Sequence, residues 1–304
     1  MTPDKLVIGS RGSDLALWQA NFIRDILTDE HRCEVKIKII KTSGDKLDQL
    51  SFDKMEGKGF FTKELEEALL ASEIDLAVHS LKDLMTTQPK GLKLGAAGYR
   101  VDRREMLLIR KESKTDNGLI PVKEGGIIGT SSNRRKCQIA NAAPSLEIKD
   151  LRGNVPTRVK KLRDGQYDAI MIAAAGVMRL ELDLSDLEVV LLDPEQFLPA
   201  PAQGVLGIQI RTNDPIVDSV ISRMGCPQAT TEASLERGLL SRFDSGCSLP
   251  LGVFSEVTDS GLRLKAVLGR REGENWAGLD EVEITGSDVE QMIDEAFATL
   301  ADGE

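Results

Sequence analysis

The residues able to do chemistry in this chain are arginines, hydroxyls and a few carboxylates that stand just past short apolar runs. Arg11 and Ser13 follow Leu6-Val7-Ile8, and Ser80, Lys82 and Asp83 follow Leu76-Ala77-Val78. Thr130, Ser131, Ser132, Arg134 and Arg135 follow Ile127-Ile128. Arg152 and Arg158 flank a further loop, and Arg179 follows Ala169-Ile170-Met171-Ile172 by way of an Ala-Gly segment. Hydroxyls, unpaired N–H groups at helix starts and guanidinium forks together suit carboxylates or phosphates. An arginine pair at a helix start sits against the positive end of the helix dipole, so Arg134-Arg135 calls for an anion that offsets the repulsion. Taken singly, an Arg-Arg pair reads as solvated surface, Lys82-Asp83 as an exposed ion pair and His79 as a buried, hydrogen-bonded histidine. Four strand-end loops that carry arginine tilt the balance toward an anion cleft.

Cys247 stands after Ser245-Gly246 and shortly before Pro250, a tight loop in which a thiol serves better as an attachment point than as core. The other cysteines, Cys33, Cys137 and Cys226, are widely spaced and form no C-x-x-C pair, so free thiols are expected rather than zinc or disulfides. With only His31 and His79, neither a histidine metal site nor a catalytic triad is supported, and no metal is expected. The net charge of −10 excludes nucleic-acid binding through the overall field, and 4% aromatic residues leave few stacking platforms. No run of about 18 apolar residues could span a membrane. No secretory signal is visible at the start, so a cytoplasmic location is expected. No G-x-S-x-G or P-loop motif points to acyl or phosphoryl transfer.

The elements that position these residues alternate. Gly9 to Gly12 form a loop and Ser13 a helix N-cap. Leu15, Trp18, Phe22 and Ile26 then recur at helical spacing, and Val35, Ile37 and Ile39 alternate as a half-buried strand. Gly57 and Gly59 mark a loop before a helix with Phe61, Leu65, Ala68 and Leu69. The pattern restarts at Ile127-Ile128, with a helix from Asn133 to Asn141, a strand at Leu146 to Ile148, and a helix that Pro156 opens and Gly165 ends. Repeated strand–loop–helix units imply mostly parallel sheets, whose C-terminal strand ends are where ligands bind. Leu198 to Gly204 reads as a hinge and Val205 to Ile210 as a strand. A helix around Thr231 to Phe243, a strand pair turning at Asp259-Ser260-Gly261, and a helix with Val289, Met292, Ile293, Ala296, Phe297 and Leu300 on one face complete the chain. No internal repeat stands out. The 304 residues suggest about two domains, or three small ones.

Six segments, in order, resemble the porphobilinogen deaminase family over nearly the whole chain. They are Gly9-Ser10-Arg11-Gly12-Ser13 running into Leu15-Ala16-Leu17-Trp18-Gln19-Ala20; Gly57-Lys58-Gly59-Phe60-Phe61-Thr62-Lys63-Glu64-Leu65-Glu66; Asp75-Leu76-Ala77-Val78-His79-Ser80-Leu81-Lys82-Asp83; Gly129-Thr130-Ser131-Ser132-Asn133-Arg134-Arg135; Leu151-Arg152-Gly153-Asn154-Val155-Pro156-Thr157-Arg158; and Gly246-Cys247 with Pro250 and Gly252. The departures are Ser245, where the family usually has Gly, Leu84-Met85 after the aspartate, Ala202 in the hinge, and Asp102-Arg103-Arg104-Glu105 in the crossover.

The resemblance implies an α/β fold of two periplasmic-binding-protein-like (type II) domains and a smaller C-terminal α+β domain. The first would span 1–102 plus 203–222 and carry the catalytic aspartate. The second, 106–199, would hold the arginine-rich anion cleft, and the third, 226–304, the cysteine loop facing that cleft. Cys247 would carry a dipyrromethane by a thioether. Lys58, Thr130, Ser131, Ser132, Arg134 and Arg135 would hold this cofactor, and Arg11, Ser13, Phe61, Arg152, Arg158, Arg179 and Gln203 the substrate. Asp83, with Lys82 beside it, would stabilise the cationic azafulvene formed as ammonia leaves. Four porphobilinogen molecules would be joined head to tail and released as 1-hydroxymethylbilane by a cytoplasmic monomer with no metal, nucleotide or macromolecular partner. A non-enzymatic two-domain anion-binding protein is the alternative; it would have no use for a modified Cys247.

Overall fold

Alternating apolar runs and amphipathic stretches build two five-stranded sheets of the same topology, in a computed structural model that describes residues 3–42, 62–243, 249–273 and 275–301. Lys58, Phe61, Ser245, Cys247 and the loop at Gly57 and Gly59 lie outside the described residues. The chain divides into two compact units, 1–101 with 204–231, and 102–203 with 232–304.

In the first unit, β1 (Lys5–Ser10), α1 (Asp14–His31), β2 (Glu34–Ile39), α2 (Lys63–Leu70) and β3 (Leu76–Ser80) follow the expected alternation. A 3-10 turn (Leu81–Asp83), β4 (Leu92–Gly98), β10 (Leu206–Arg211) and α6 (Pro215–Ile221) complete it. The sheet order is β2-β1-β3-β10-β4. β1 runs parallel to β2 and β3, whereas β10 runs antiparallel to β3 and β4. The expectation of mostly parallel sheets is therefore corrected to a mixed sheet. The reason lies in the register: Leu206 pairs with Ser80 and Ile210 with Leu76, so β10 enters the sheet where β3 leaves it and must run back.

The apolar stripe expected on α1 is displaced. Leu15, Trp18, Phe22 and Ile26 are half-buried, and the deepest face runs through Gln19, Ala20, Ile23 and Leu27. Trp18 and Phe22 instead stack on each other, with ring centroids 5.3 Å apart.

The second unit repeats the plan. Its sheet order is β7-β6-β8-β5-β9, built from β5 (Glu105–Arg110), β6 (Ile127–Gly129), β7 (Glu147–Lys149), β8 (Ala169–Ala173) and β9 (Leu187–Leu191). β6 is parallel to β7 and β8, and β5 antiparallel to β8 and β9. Its helices are α3 (Asn133–Ala142), α4 (Val155–Arg163) and α5 (Ala174–Leu180). One device recurs in both sheets. Asp75 precedes β3, its N–H donates to Val7 O (2.8 Å), and its carboxylate accepts from Val7 N (2.8 Å). Asp168 precedes β8 and does the same with Ile127, at 2.8 and 2.9 Å. Each aspartate pins the central parallel strand pair. The structure thus contains a repeat that the sequence did not display.

The C-terminal part carries α7 (Pro227–Arg242), β11 (Leu251–Thr258), β12 (Gly261–Glu272), β13 (Asn275–Gly286) and α8 (Val289–Ala301). The expected strand pair is in fact three antiparallel strands in the order β11-β12-β13. β13 lacks a regular two-residue alternation, with Trp276 and Ala277 adjacent and Leu279 and Val282 three apart, and its pairing with β12 shifts at Arg270/Arg271. Within the second unit the cores stay separate: Met106, Leu108, Ile170 and Ile172 on one side of the sheet, Leu107, Ile109 and Phe197 on the other, and Leu239, Leu264, Ile293 and Leu300 in the C-terminal part.

Candidate functional site

In the first unit, β1 and β3 are parallel neighbours, so the loops after them emerge at the same sheet edge. Arg11 and Ser13 leave one, and Ser80 to Asp83 the other. Ser13 caps α1 as expected, its Oγ accepting from Ala16 N (3.4 Å). Gln19 Nε2 donates to Ser80 Oγ (2.8 Å), which ties the helix to the end of β3.

Asp83 ends the 3-10 turn and is exposed, with Lys82 half-buried before it. Two buried leucines hold that turn, Leu81 and Leu84, and Leu81 N donates to Val205 O (2.9 Å). Gly207 on β10 makes room: a Cβ there would come within 2.8 Å of Leu81 Cδ1.

Behind the turn runs a relay that sequence reasoning missed. His79 Nε2 lies 3.2 Å from Gln209 Oε1, Gln209 Nε2 donates to Gln88 Oε1 (2.8 Å), and Gln88 Nε2 donates to Met85 O (2.6 Å). With the proton on Nε2, every link has a donor and an acceptor, and the chain of bonds ends on the loop that continues from Asp83. His79 is buried, as its single-residue reading suggested. Burial pushes its pKa down to about 4, helped by the charge of Arg11 and opposed by Gln209. Gln88 and Gln209 carried no legible signal, since a glutamine in a strand or loop is ordinarily a surface residue.

In the second unit, β6, β7 and β8 are parallel neighbours and deliver three loops to one edge. Thr130, Ser131 and Ser132 follow β6. Ser131 Oγ and the Leu151 backbone exchange hydrogen bonds at 3.0 Å, fastening this loop to the one after β7. Thr130 Oγ1 accepts from Ser132 N (3.3 Å). The loop after β7 turns at Gly153, whose φ of +109° and Thr157 Cγ2 at 2.8 Å from a would-be Cβ exclude other residues. Arg158 Nε donates to Gly153 O (2.7 Å), and Arg152 lies 3.9 Å from Asp150. Asn154 caps α4, with Pro156 in its first turn as expected. Arg179, on α5 after β8, is buried, and burial pushes its pKa down to about 10.

Arg134 and Arg135 are neither solvated nor loosely placed. They are 5% and 6% exposed and share the fully buried carboxylate of Glu105. Arg134 donates from NH2 to Glu105 Oε1 (2.6 Å) and from NH1 to Leu198 O (2.8 Å). Arg135 donates from Nε to Glu105 Oε2 (3.0 Å) and from NH1 to Met171 O (2.9 Å). Gln203, on the returning connection, donates to Glu105 Oε1 (3.0 Å) and to Arg103 O (2.9 Å). The anion that two arginines at a helix start call for is thus first supplied by the chain itself. Burial lowers the pKa of Arg134, with Glu105 opposing and Arg135 adding to the fall. Glu105 stood in the altered crossover segment, and nothing in its spacing linked it to residues 29 and 30 positions away.

The hinge reading also acquires detail. Ala202 adopts a left-handed φ of +60° and donates its N–H to Glu236 Oε2 (2.6 Å). Arg103 of the crossover pairs with Glu232 (2.5 Å) and donates to Ser255 O. Cys33 and Cys137 are buried and Cys226 exposed. Among the described residues, no group of three or more His, Cys, Asp or Glu side chains could hold a metal ion, and no helix is long and apolar enough to cross a membrane.

Comparison with known proteins places these features in a family. The description "Porphobilinogen deaminase, dipyromethane cofactor binding domain" matches residues 6–219, and "Porphobilinogen deaminase, C-terminal domain" matches residues 230–299. The chain is similar to the porphobilinogen deaminase of Sulfurimonas denitrificans, with 43% identity over 89% of this chain and 85% of that one. It is similar to that of Streptococcus sanguinis, with 37% identity over 97% and 95%. Among solved structures it resembles a periplasmic substrate-binding protein of an ABC transporter from Coxiella burnetii, at 14% identity and a TM-score of 0.45, covering 76% of this chain and 96% of that one. That likeness is one of fold class alone.

Proposed function

The chain belongs to the porphobilinogen deaminase family, transferases that act as hydroxymethylbilane synthases, and from this premise we propose how its residues divide the condensation of porphobilinogen among themselves. The observation that carries the proposal is the contrast at equivalent strand ends. The exposed carboxylate of Asp83 follows β3, and arginines and hydroxyls follow β6, β7 and β8.

Porphobilinogen carries two carboxylates, an aminomethyl group and a free α-carbon. Its C–N bond breaks as ammonia leaves. The methylene carbon then bonds to the α-carbon of a second pyrrole, and that ring afterwards loses its α-proton. Both the departure and the attack place positive charge on a pyrrole. Asp83 directs its carboxylate at the pyrrole N–H and stabilises that charge, an interaction that strengthens as bound pyrroles displace water from it. It attracts the cation more than the neutral ring, so it acts on turnover more than on binding. Lys82, half-buried beside it, completes the carboxylate-binding shell. Arg11, Ser13, Arg152, Arg158, Arg179 and Gln203 take the acidic side chains of the substrate, and Phe61 is assigned with them to the substrate site.

The residues fit a dipyrromethane. Its ring substituents are carboxylates, and the donors offered by Thr130, Ser131, Ser132, Arg134, Arg135 and Lys58 are hydroxyls and cations. Burial depresses the pKa of both Arg134 and Arg179, which an adjoining anion would reverse. When bound, the dipyrromethane supplies the free α-carbon at which chain growth begins.

Its attachment is assigned to Cys247 by a thioether. In support, burial raises the Cys137 thiol to about 11 and, with Asp4, raises that of Cys33, so neither offers a thiolate at neutral pH. We further assign three domains, 1–102 plus 203–222, 106–199 and 226–304, a division the separate apolar cores favour. The protein is taken as a cytoplasmic monomer, its net charge of −10 opposing self-association. Intact mass and peptide mapping test the assignment: two linked pyrroles on Cys247 are expected. An unmodified Cys247 in active protein, or an adduct on Cys137, overturns it.

A further inference from the structure

We infer that Glu105 is a positioning residue, the carboxylate that holds Arg134 and Arg135 in the orientation in which they receive an acidic side chain of the dipyrromethane; this rests on the proposed role of the two arginines. Glu105 opens β5, directly after the crossover, and is 0% exposed. Both of its oxygens are doubly engaged. Oε1 accepts from Arg134 NH2 (2.6 Å) and Gln203 Nε2 (3.0 Å). Oε2 accepts from Arg135 Nε (3.0 Å) and lies 2.7 Å from Arg135 NH2. Its backbone is fixed as well, Leu192 N donating to Glu105 O (2.9 Å).

Two features make this arrangement more than a buried ion pair. First, one carboxylate serves two adjacent guanidiniums, so the cluster keeps a surplus of positive charge away from water. An isolated buried charge is costly, and a ligand carboxylate would neutralise the remainder. Second, the bonds constrain direction. Arg134 is pinned between Glu105 and Leu198 O, and Arg135 between Glu105 and Met171 O. Planar forks held at two nitrogens (Arg134) or at all three (Arg135) can turn only their remaining N–H groups toward an incoming anion. Without Glu105 the two like charges, adjacent on α3 at the positive end of its dipole, would repel each other and swing apart.

The test uses the full-length chain. Glu105→Gln keeps the shape and removes the charge, and Glu105→Asp keeps the charge but is one methylene too short to span both arginines. Three quantities are measured on folded protein: the fraction carrying the two-pyrrole adduct by intact mass, the thermal midpoint, and kcat and KM for porphobilinogen on the loaded fraction. The expected result is adduct occupancy in the order parent, Asp, Gln, with at least a tenfold loss for Gln. In the loaded fraction KM should rise and kcat stay within about threefold, because Asp83 is untouched. A purely structural role would lower the thermal midpoint without changing occupancy or splitting KM from kcat. Folded Glu105→Gln with parental occupancy and KM overturns the inference. Should Glu105→Gln fail to fold, Glu105→Asp decides, and a folded Asp chain indistinguishable from the parent overturns the inference. Arg134→Ala and Arg135→Ala separate the two levels of the argument. If both load normally, the role assigned to the arginines has failed, and the inference with it. If they load poorly and Glu105→Gln loads normally, only the role of Glu105 has.

Discussion

The first and second units share a sheet topology and the aspartate that pins its central strands, yet the first brings a carboxylate, Asp83, to the edge where the second brings a buried arginine pair. In the first, Asp83 stands exposed on a turn supported by two buried leucines and a relay that runs from His79 through two glutamine amides. In the second, Arg134 and Arg135 are buried and held by a buried carboxylate. The difference matches the roles proposed for each group. A carboxylate proposed to respond to a developing cation must be within its reach, and Asp83 is exposed. Arginines that must hold a polyanion in one register need fixed direction, and only a charged anchor can hold two like charges together.

The largest effect should come from breaking the first side. Asp83→Asn preserves the shape and removes the charge, and single-turnover conversion by cofactor-loaded protein should slow at least about a hundredfold, or about 2.7 kcal/mol. The chain should still fold, since an exposed turn aspartate contributes little to stability. A rate within threefold of the parent would remove Asp83 from the mechanism.

On the second side, Arg135→Ala should cost about 1.5–3 kcal/mol in cofactor retention, the worth of a charge-assisted contact. Arg135→Lys should also be impaired, because an ammonium cannot reproduce the fork. Adduct occupancy by mass measures both, and full occupancy in both would make the arginine purely structural.

Acid should distinguish the units. His79 has a folded pKa of about 4 against an ordinary 6.5, so below pH 6.5 the unfolded chain binds the extra proton. The stability it contributes is full above that pH and is lost as the pH falls toward 4, by about 2 kcal/mol between neutrality and pH 5. At Asp168, burial raises the pKa, but the Ile127 amide, Lys123 and Ser113 outweigh it and bring the pKa to about 2 from 3.8. That contribution disappears only below about pH 4. Urea unfolding of the parent and His79→Gln at pH 7.5 and 5 should show the difference in the first unit; equal losses would refute it.

A smaller effect is expected from Gln88→Met, which severs the relay at Met85 O. The loss of one neutral hydrogen bond, about 1 kcal/mol, should lower kcat severalfold with KM unchanged. An unchanged kcat would show that the leucines alone hold the turn. The smallest concerns the hinge. Ala202→Gly relieves a left-handed alanine and should stabilise the protein by up to about 1 kcal/mol in thermal unfolding. Destabilisation would mean that the lost methyl packing outweighs the strain.

Much of this protein was determined locally and could be read from sequence order. The N-cap Ser13, Pro156 in the first turn of α4, the strand at Leu76 to Ser80 and the helix that starts at Asn133 depend on neighbours within a few positions, where periodicity and capping chemistry act directly. The placement of Asp83, Thr130, Arg134, Arg152 and Arg179 at strand ends was legible for the same reason. Tertiary structure alone decided the rest, because it depends on partners far apart in the chain. The antiparallel insertion of β10 and β5, the shared Asp75 and Asp168 device, the third C-terminal strand and the meeting of Glu105 with Arg134, Arg135 and Gln203 all join residues that no local pattern connects. A glutamate in a charged crossover looks like surface until the sheet folds it inward, and there the cost of burying one charge is offset only by another brought from elsewhere in the chain.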